Sequence, residues 1–195
     1  MVEVQGLTLA FGGNAVLRGV DFTLPRGGRA ALMGASGSGK TTFLRVIAGL
    51  QKPDSGAVRV STQRLACVFQ EPRLLPWLTA AQNVNVVLSD RAETLPQAAA
   101  WLERFGLADA AEQYPAELSG GMQQRVALAR AMAYDADLLL LDEPFKAMDD
   151  ALRRSVMQTV ADAAGDAAVL LVTHSAEEAE ALGCTIYRYA DGTFR

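Results

Sequence analysis

Apolar and polar positions alternate, with breaks, from Val2 to Ala10 and again from Val20 to Leu24, the period of a half-buried strand. The second run closes on Pro25-Arg26-Gly27-Gly28, a turn by composition. The two runs predict a small antiparallel sheet leaning on a main one. Three later runs are continuously apolar, the first two after an opening charged residue: Arg29–Met33, Asp137–Leu141 and Ala167–Val172. Continuous apolar runs of this length predict strands of a parallel sheet, buried on both faces. Ala57–Ser61, Leu65–Phe69 and Thr185–Tyr189 add further strands, and Asp191-Gly192 reads as a closing turn. Helical spacing appears at Phe43–Gly49, in a long Ala- and Leu-rich segment from Ser119 to about Tyr134, at Ala151–Ala163, and briefly after His174. Residues 79–118 also look helical, with Thr79 as a cap for a helix through Val86 and a second helix from Pro96 to Phe105 that stops at Gly106. Strand and helix alternate except in this stretch. The pattern predicts an α/β fold with a mostly parallel sheet, an N-terminal antiparallel β subdomain and a helical subdomain inserted at about 71–134, all within one domain spanning 1–195.

Composition narrows the class without changing the fold. The chain has 195 residues, half of them apolar, enough for one sizeable core. Its formal net charge is −4, and no run of Lys or Arg offers a basic patch, so nucleic acid is not the expected partner. Cys67 and Cys184 stand far apart in strand-like runs and read as buried thiols of a reducing compartment. No signal peptide is visible after Met1, and no segment reaches the ~18 apolar residues of a membrane helix. A soluble, cytoplasmic protein is expected.

The densest chemistry lies between the strand Arg29–Met33 and the helix that follows. Gly34-Ala35-Ser36-Gly37-Ser38-Gly39-Lys40-Thr41-Thr42 is a P-loop by letters and by context: strand, glycine-rich loop, Lys-Thr, helix. Its backbone N–H groups can turn toward a phosphate chain, and the helix start adds unpaired donors and a positive dipole end. Lys40 supplies a charge for the outer phosphates and Thr41 a hydroxyl for Mg²⁺.

Other residues gain meaning from this loop. Leu138–Leu141 delivers Asp142 and Glu143 to the end of a strand, where open α/β sheets carry their chemistry. Asp142 suits the Mg²⁺ shell; Glu143 suits a water-activating base. His174, the sole histidine, follows Thr173 at another strand end, where it can contact a phosphate or the attacking water. Ser119-Gly120-Gly121 opens a helix with an N-cap and no bulky side chain, a second anion-binding start that a single nucleotide would leave redundant. Phe11 fits either a base-stacking ring or ordinary core. Glu71-Pro72-Arg73-Leu74-Leu75-Pro76-Trp77 cannot be regular structure. Its apolar residues fit either a partner surface or a fold-back onto a local core.

In order, the P-loop, Gln70, Leu118-Ser119-Gly120-Gly121-Met122-Gln123-Gln124-Arg125, four leucines before Asp142-Glu143, and Thr173-His174 resemble the ATP-binding cassette (ABC) ATPases across nearly the whole chain. The resemblance implies an ATP-hydrolysing subunit that works as a head-to-tail dimer, with itself or with a related subunit. ATP would lie between one copy's P-loop and the other's Ser119, Gly120, Gly121 and Met122. It also implies that Phe11 stacks on adenine, that Gln70 reaches Mg²⁺ and the water, and that His174 holds the γ-phosphate. Thr42 would neighbour Mg²⁺ beside Thr41.

Val68–Trp77 and Glu143-Pro144-Phe145 are similar to the importers of nitrate, sulfonate and taurine. That similarity implies transmembrane permease subunits, docked through Arg73, Leu74, Leu75 and Trp77, an extracytoplasmic solute-binding protein, and a peripheral position on the inner face of the cell membrane. Lys146 departs from the small residue usual there and bears on contacts across the dimer. The chain stops soon after His174, so no C-terminal regulatory domain is expected. An exporter or lipid-handling complex is the nearest rival. A cassette ATPase acting on DNA or ribosomes would show a coiled-coil insertion or a second cassette, and a small-metabolite kinase would not need Ser119-Gly120-Gly121.

Overall fold

The computed structural model describes residues 1–190 and 193–194, so the Asp191-Gly192 turn lies outside the described residues. By density of internal contacts the chain divides into two units. One comprises Met1–Cys67, Asp137–Glu143 and Asp166–Arg195; the other comprises Val68–Ala136 and Pro144–Gly165.

The first unit carries both sheets. β1 (Val2–Phe11) pairs antiparallel with β2 (Asn14–Leu24) and, on its other edge, with β4 (Ser55–Val60). This sheet therefore has three strands in the order β2-β1-β4, one more than the two runs before the P-loop. β2 is also twice as long as the alternating run Val20–Leu24. Three register shifts between β1 and β2 break the period-2 pattern there. The first spans Gly6 (φ 57°) and the second Gly19 (φ 60°), conformations that suit glycine, and the third lies between Leu9 and Ala10. Side chains satisfy the displaced amides: Asp21 accepts from Gly6 N–H at 2.7 Å and Thr8 Oγ1 from Gly19 N–H at 3.0 Å.

The main sheet has the order β5-β6-β7-β3-β8-β9, with β3 (Arg29–Met33), β5 (Leu65–Val68), β6 (Leu138–Asp142), β7 (Ala168–Val172), β8 (Thr185–Ala190) and β9 (Thr193–Phe194). β6, β7, β3 and β8 are mutually parallel, and β9 returns antiparallel to β8. Every residue of β6 and β7 is buried, as their unbroken apolar runs require. α1 (Lys40–Ile47) buries Phe43 and Leu44 in the core shared by the two sheets, where Phe43 meets Phe22 edge-on with ring centroids 5.5 Å apart.

The second unit is helical: α2 (Ala80–Asn85), α3 (Leu95–Arg104), α4 (Gly120–Ala133) and α5 (Asp150–Ala164). Its 79–118 portion is less continuous than the periodicity implied. Ser89 (φ 125°) and Asp90 (φ 54°) stop the chain after α2, and single 3₁₀ turns occupy Ala92–Thr94, Ala108–Ala110 and Pro115–Glu117. Thr79 caps α2 in a reciprocal capping box with Gln82. A last helix, α6 (Ala176–Ala181), belongs to the first unit.

Candidate active site

Sheet register gathers the chemistry of the first unit. Asp142 on β6 is paired with Val172 on β7, and Val172 with Leu32 on β3. The three parallel strands thus end in one row, and the residues just beyond are Glu143, Thr173-His174 and Met33-Gly34. Strands that share a direction and a register deliver their C-terminal neighbours to one edge of the sheet.

The loop from Gly34 to Gly39 leads directly into α1. A Cβ on Gly34 would fall 2.5 Å from the Tyr189 carbonyl oxygen, and one on Gly39 (φ 114°) would fall 2.7 Å from Val16 Cγ1. The two ends of the loop are therefore clamped against β8 and β2, while Ala35, Ser36 and Gly37 at the tip are exposed. Lys40 is buried and folds back over the loop: Nζ donates to the carbonyls of Gly34 (2.9 Å) and Ala35 (2.7 Å) and to Ser38 Oγ (3.2 Å). Burial lowers its pKa, opposed by the negative charges of Glu143 and Asp142.

Asp142 is buried at the end of β6, with the Thr41 hydroxyl near enough to favour its charged form. Burial pushes its pKa up; the Thr41 hydroxyl pulls it down, Glu143 pushes it up, and Arg45 and Lys40 pull it down. Thr42 sits half-buried one residue on. These oxygens, one carboxylate beside one hydroxyl, are the hard donors that Mg²⁺ takes, so the residues fit that ion.

Glu143 adopts φ 46°, an unusual conformation for a non-glycine residue. Its N–H donates to the Val172 carbonyl at 2.9 Å, and its Oε1 lies 3.0 Å from His174 Nε2. Such strain, of order 1–3 kcal/mol, persists only where neighbours over-determine it. His174 is half-exposed, and its loop is tied from behind. The buried Thr173 hydroxyl donates to the Glu178 carboxylate and accepts from Ser175 N–H at 3.0 Å, and Ser175 caps α6. The sequence names Thr173 only as the neighbour of His174 and gives Glu178 no role. Ser175-x-x-Glu178 looks like an ordinary capping box, but the Glu178 carboxylate reaches Thr173. Tyr189 is likewise given no role by the sequence; its hydroxyl donates to the Val16 carbonyl at 2.7 Å, closing the Gly39 end of the loop. Phe11 lies at the tip of the β1–β2 hairpin, 49% exposed, so it is not core.

The remaining candidates stand in the second unit. Ser119 is the N-cap of α4 and accepts from Met122 N–H at 3.3 Å. A Cβ on Gly120 would meet nothing, whereas one on Gly121 would fall 2.6 Å from the Ala147 carbonyl oxygen. Gly121 is thus required by packing and Gly120 leaves the helix start open. Met122 is half-buried. Gln70 is exposed two residues beyond β5. In the loop that follows, Leu74 and Leu75 are half-buried, Arg73 is exposed, and Trp77 is 68% exposed.

A P-loop clamped between strands, with a buried carboxylate, a second carboxylate held by a histidine, and a mostly parallel sheet, defines a P-loop nucleoside triphosphatase. A family profile described as ABC transporter matches residues 17–146. The chain is 44% identical over 198 residues to the aliphatic sulfonates import ATP-binding protein SsuB of Mycobacterium sp. (strain MCS), covering 98% of this chain and 80% of that one. It is 46% identical over 193 residues to a protein of the same description from Pseudomonas savastanoi pv. phaseolicola, covering 98% and 71%. Its fold matches a dimeric ATP-binding cassette solved in a post-hydrolysis state with ADP and Pi, at TM-score 0.90 and 29% identity, covering 100% of this chain and 97% of that one. The chain belongs to the ABC transporter family, as its ATP-binding and ATP-hydrolysing component.

Proposed function

We propose that this chain powers import of a small organic sulfonate or a similar oxyanionic solute. The observation that carries the ATPase is the row formed by β3, β7 and β6, which sets Lys40, Asp142 and the Glu143–His174 pair at one sheet edge. The solute class rests on the likeness to sulfonate import subunits. Lys40 exchanges loop carbonyls for the outer phosphate oxygens of ATP. Thr41 and Asp142 hold Mg²⁺, with Thr42 alongside; the ion, when bound, neutralises phosphate charge. Glu143 accepts a proton from the attacking water, and His174 orients its carboxylate and faces the γ-phosphate. Phe11 offers its exposed ring to the adenine. Two copies pair head to tail, so that Ser119, Gly120, Gly121 and Met122 of one close over the nucleotide of the other. Closure and reopening drive transmembrane permease subunits, which hold the chain at the cytoplasmic face and receive solute from an extracytoplasmic binding protein. The solute is tested by uptake of labelled ethanesulfonate in cells lacking this chain. Uptake should vanish and return with the chain restored; uptake that persists without it rules out the assignment.

Permease docking is assigned to the loop from Arg73 to Trp77. Trp77 is the exposed anchor, stiffened by Pro76, and rigid aromatic side chains of this kind make interface hot spots. Leu75 is a poorer probe, because it is half-buried and both its backbone N–H and its carbonyl are bonded to Asn83. Trp77→Ala is therefore expected to leave the melting temperature of the chain within a few degrees of the parent, since exposed substitutions stay within about 0.5 kcal/mol. Basal ATPase should survive while co-purification with the permease and uptake fail. A Trp77→Ala chain that melts early yet still co-purifies with the permease removes the docking role.

A further inference from the structure

The loop Pro72–Leu78 is held by α4 and α2 through a cluster of two buried amide side chains and a half-buried arginine that the reactions above do not use. Asn83, on α2, is fully buried. Its Oδ1 accepts from Leu75 N–H at 2.8 Å. Its Nδ2 lies 3.1, 3.0 and 3.0 Å from the carbonyl oxygens of Leu75, Leu78 and Thr79, three acceptors for two protons. Arg130, on α4, turns its guanidinium Nη2 to the carbonyls of Pro72 (3.1 Å) and Arg73 (3.2 Å) and its Nη1 toward Asn83 Oδ1 at 3.5 Å, the limit of a hydrogen bond. Gln124, a turn and a half earlier on α4, donates to the Phe69 carbonyl at 3.3 Å. Arg73 itself is held at φ 47°. A strained residue between two fixed carbonyls marks a loop whose shape is imposed by its surroundings.

All of these groups lie in the second unit. Arg130 stands eleven residues after Ser119 on the same helix (130 − 119), about 16 Å along its axis. One rigid helix thus carries the Ser119 N-cap at its start and grips the Pro72–Leu78 loop near its end.

We infer that Asn83 and Arg130 form a latch that makes the Pro72–Leu78 loop and α4 a single moving piece, so that displacement of the Ser119 end of α4 is delivered to the permease through Trp77. Both are positioning residues, acting through their bonds to the backbone of the loop. The delivery part rests on the docking reading above; the latch itself does not.

The test uses the chain with Arg130→Met, which keeps an unbranched apolar stem and removes the guanidinium. Amide hydrogen exchange at Leu75 and Leu78 should quicken about tenfold or more, with β6 and β7 unchanged. Arg130→Lys, which keeps a charge but loses the fork, should fall between, and it carries the test if Arg130→Met does not fold. With the permease present, basal ATPase should stay within about twofold of the parent and co-purification should persist, while permease-stimulated ATPase and uptake drop about tenfold. A merely structural role would lower all of these together with the melting temperature. Unchanged exchange in both variants overturns the latch, and so does a loosened loop with full coupling. If Trp77→Ala leaves co-purification and uptake intact, the docking reading falls, and the exchange measurement still judges the latch.

Discussion

Replacing Glu143 with Gln is expected to leave ATP binding intact and to slow turnover by about 10²-fold or more. The amide matches the carboxylate in size and can still meet His174 Nε2, which lies 3.0 Å from Oε1 in the parent. The backbone of residue 143 should keep its φ of 46°, because the N–H bond to the Val172 carbonyl is untouched. What disappears is the base. If closure of the dimer needs intact ATP, the variant should accumulate closed: light scattering with Mg²⁺-ATP should report a dimer where the parent cycles back to monomer. Hydrolysis at the parent rate would contradict the role of Glu143. His174→Ala bears on the same pair and is expected to slow turnover while weakening ATP binding less than Lys40→Ala does, because His174 contacts Glu143 and lies outside the Gly34–Gly39 loop; phosphate release at the parent rate would contradict its role.

Lys40→Ala is expected to weaken ATP binding by an order of magnitude or more. Lys40 Nζ has three acceptors on its own loop, the Gly34 and Ala35 carbonyls and Ser38 Oγ. It is thus a buried cation already aimed into the curl of the P-loop. Asp142 and Glu143 help to keep it charged against the cost of burial. No other Lys or Arg is provided by the loop from Gly34 to Gly39. Calorimetric titration with ATP measures the loss directly, and an unaltered affinity would discard the phosphate-binding assignment. The variant should stay folded, since α1 buries Phe43, Leu44, Val46 and Ile47 independently of this side chain.

How far the sequence could be read depended on how local each feature is. β6 was legible because four leucines between Asp137 and Asp142-Glu143-Pro144 are too short a run for a buried helix and fit a strand buried on both faces, and the P-loop because strand, loop and helix start are contiguous in the chain. The first half of β2 was not, because the shifts at Gly19 and opposite Leu9–Ala10 destroy the alternation on which strand reading depends. β4 read as a strand, but its pairing with β1 across the P-loop and α1 is a long-range choice that no local pattern encodes. The candidate site divides in the same way. Asp142 and Glu143 announced themselves at a strand end, and Lys40 at the start of the helix that follows the glycine-rich loop. Thr173, Glu178 and Tyr189 act through side chains that meet only after folding, and each passes for a cap or a core residue in the sequence. Trp77 stayed ambiguous because exposure is a property of the packed chain; the structure leaves it 68% exposed while Leu74 and Leu75 turn partly inward.

The central claim is that ATP is hydrolysed between the P-loop of one copy and the Ser119–Met122 start of α4 in another. It is tested most directly by mixing two inactive chains, Lys40→Ala and Ser119→Arg, and measuring phosphate release. Each alone spoils both sites of its own homodimer. In the mixed dimer, one site unites the intact Lys40 of the Ser119→Arg chain with the intact Ser119 of the Lys40→Ala chain, and the other site carries both defects. The account predicts that activity reappears on mixing. Mixed dimers shown to form in the presence of Mg²⁺-ATP, yet with no recovery of activity, would contradict it.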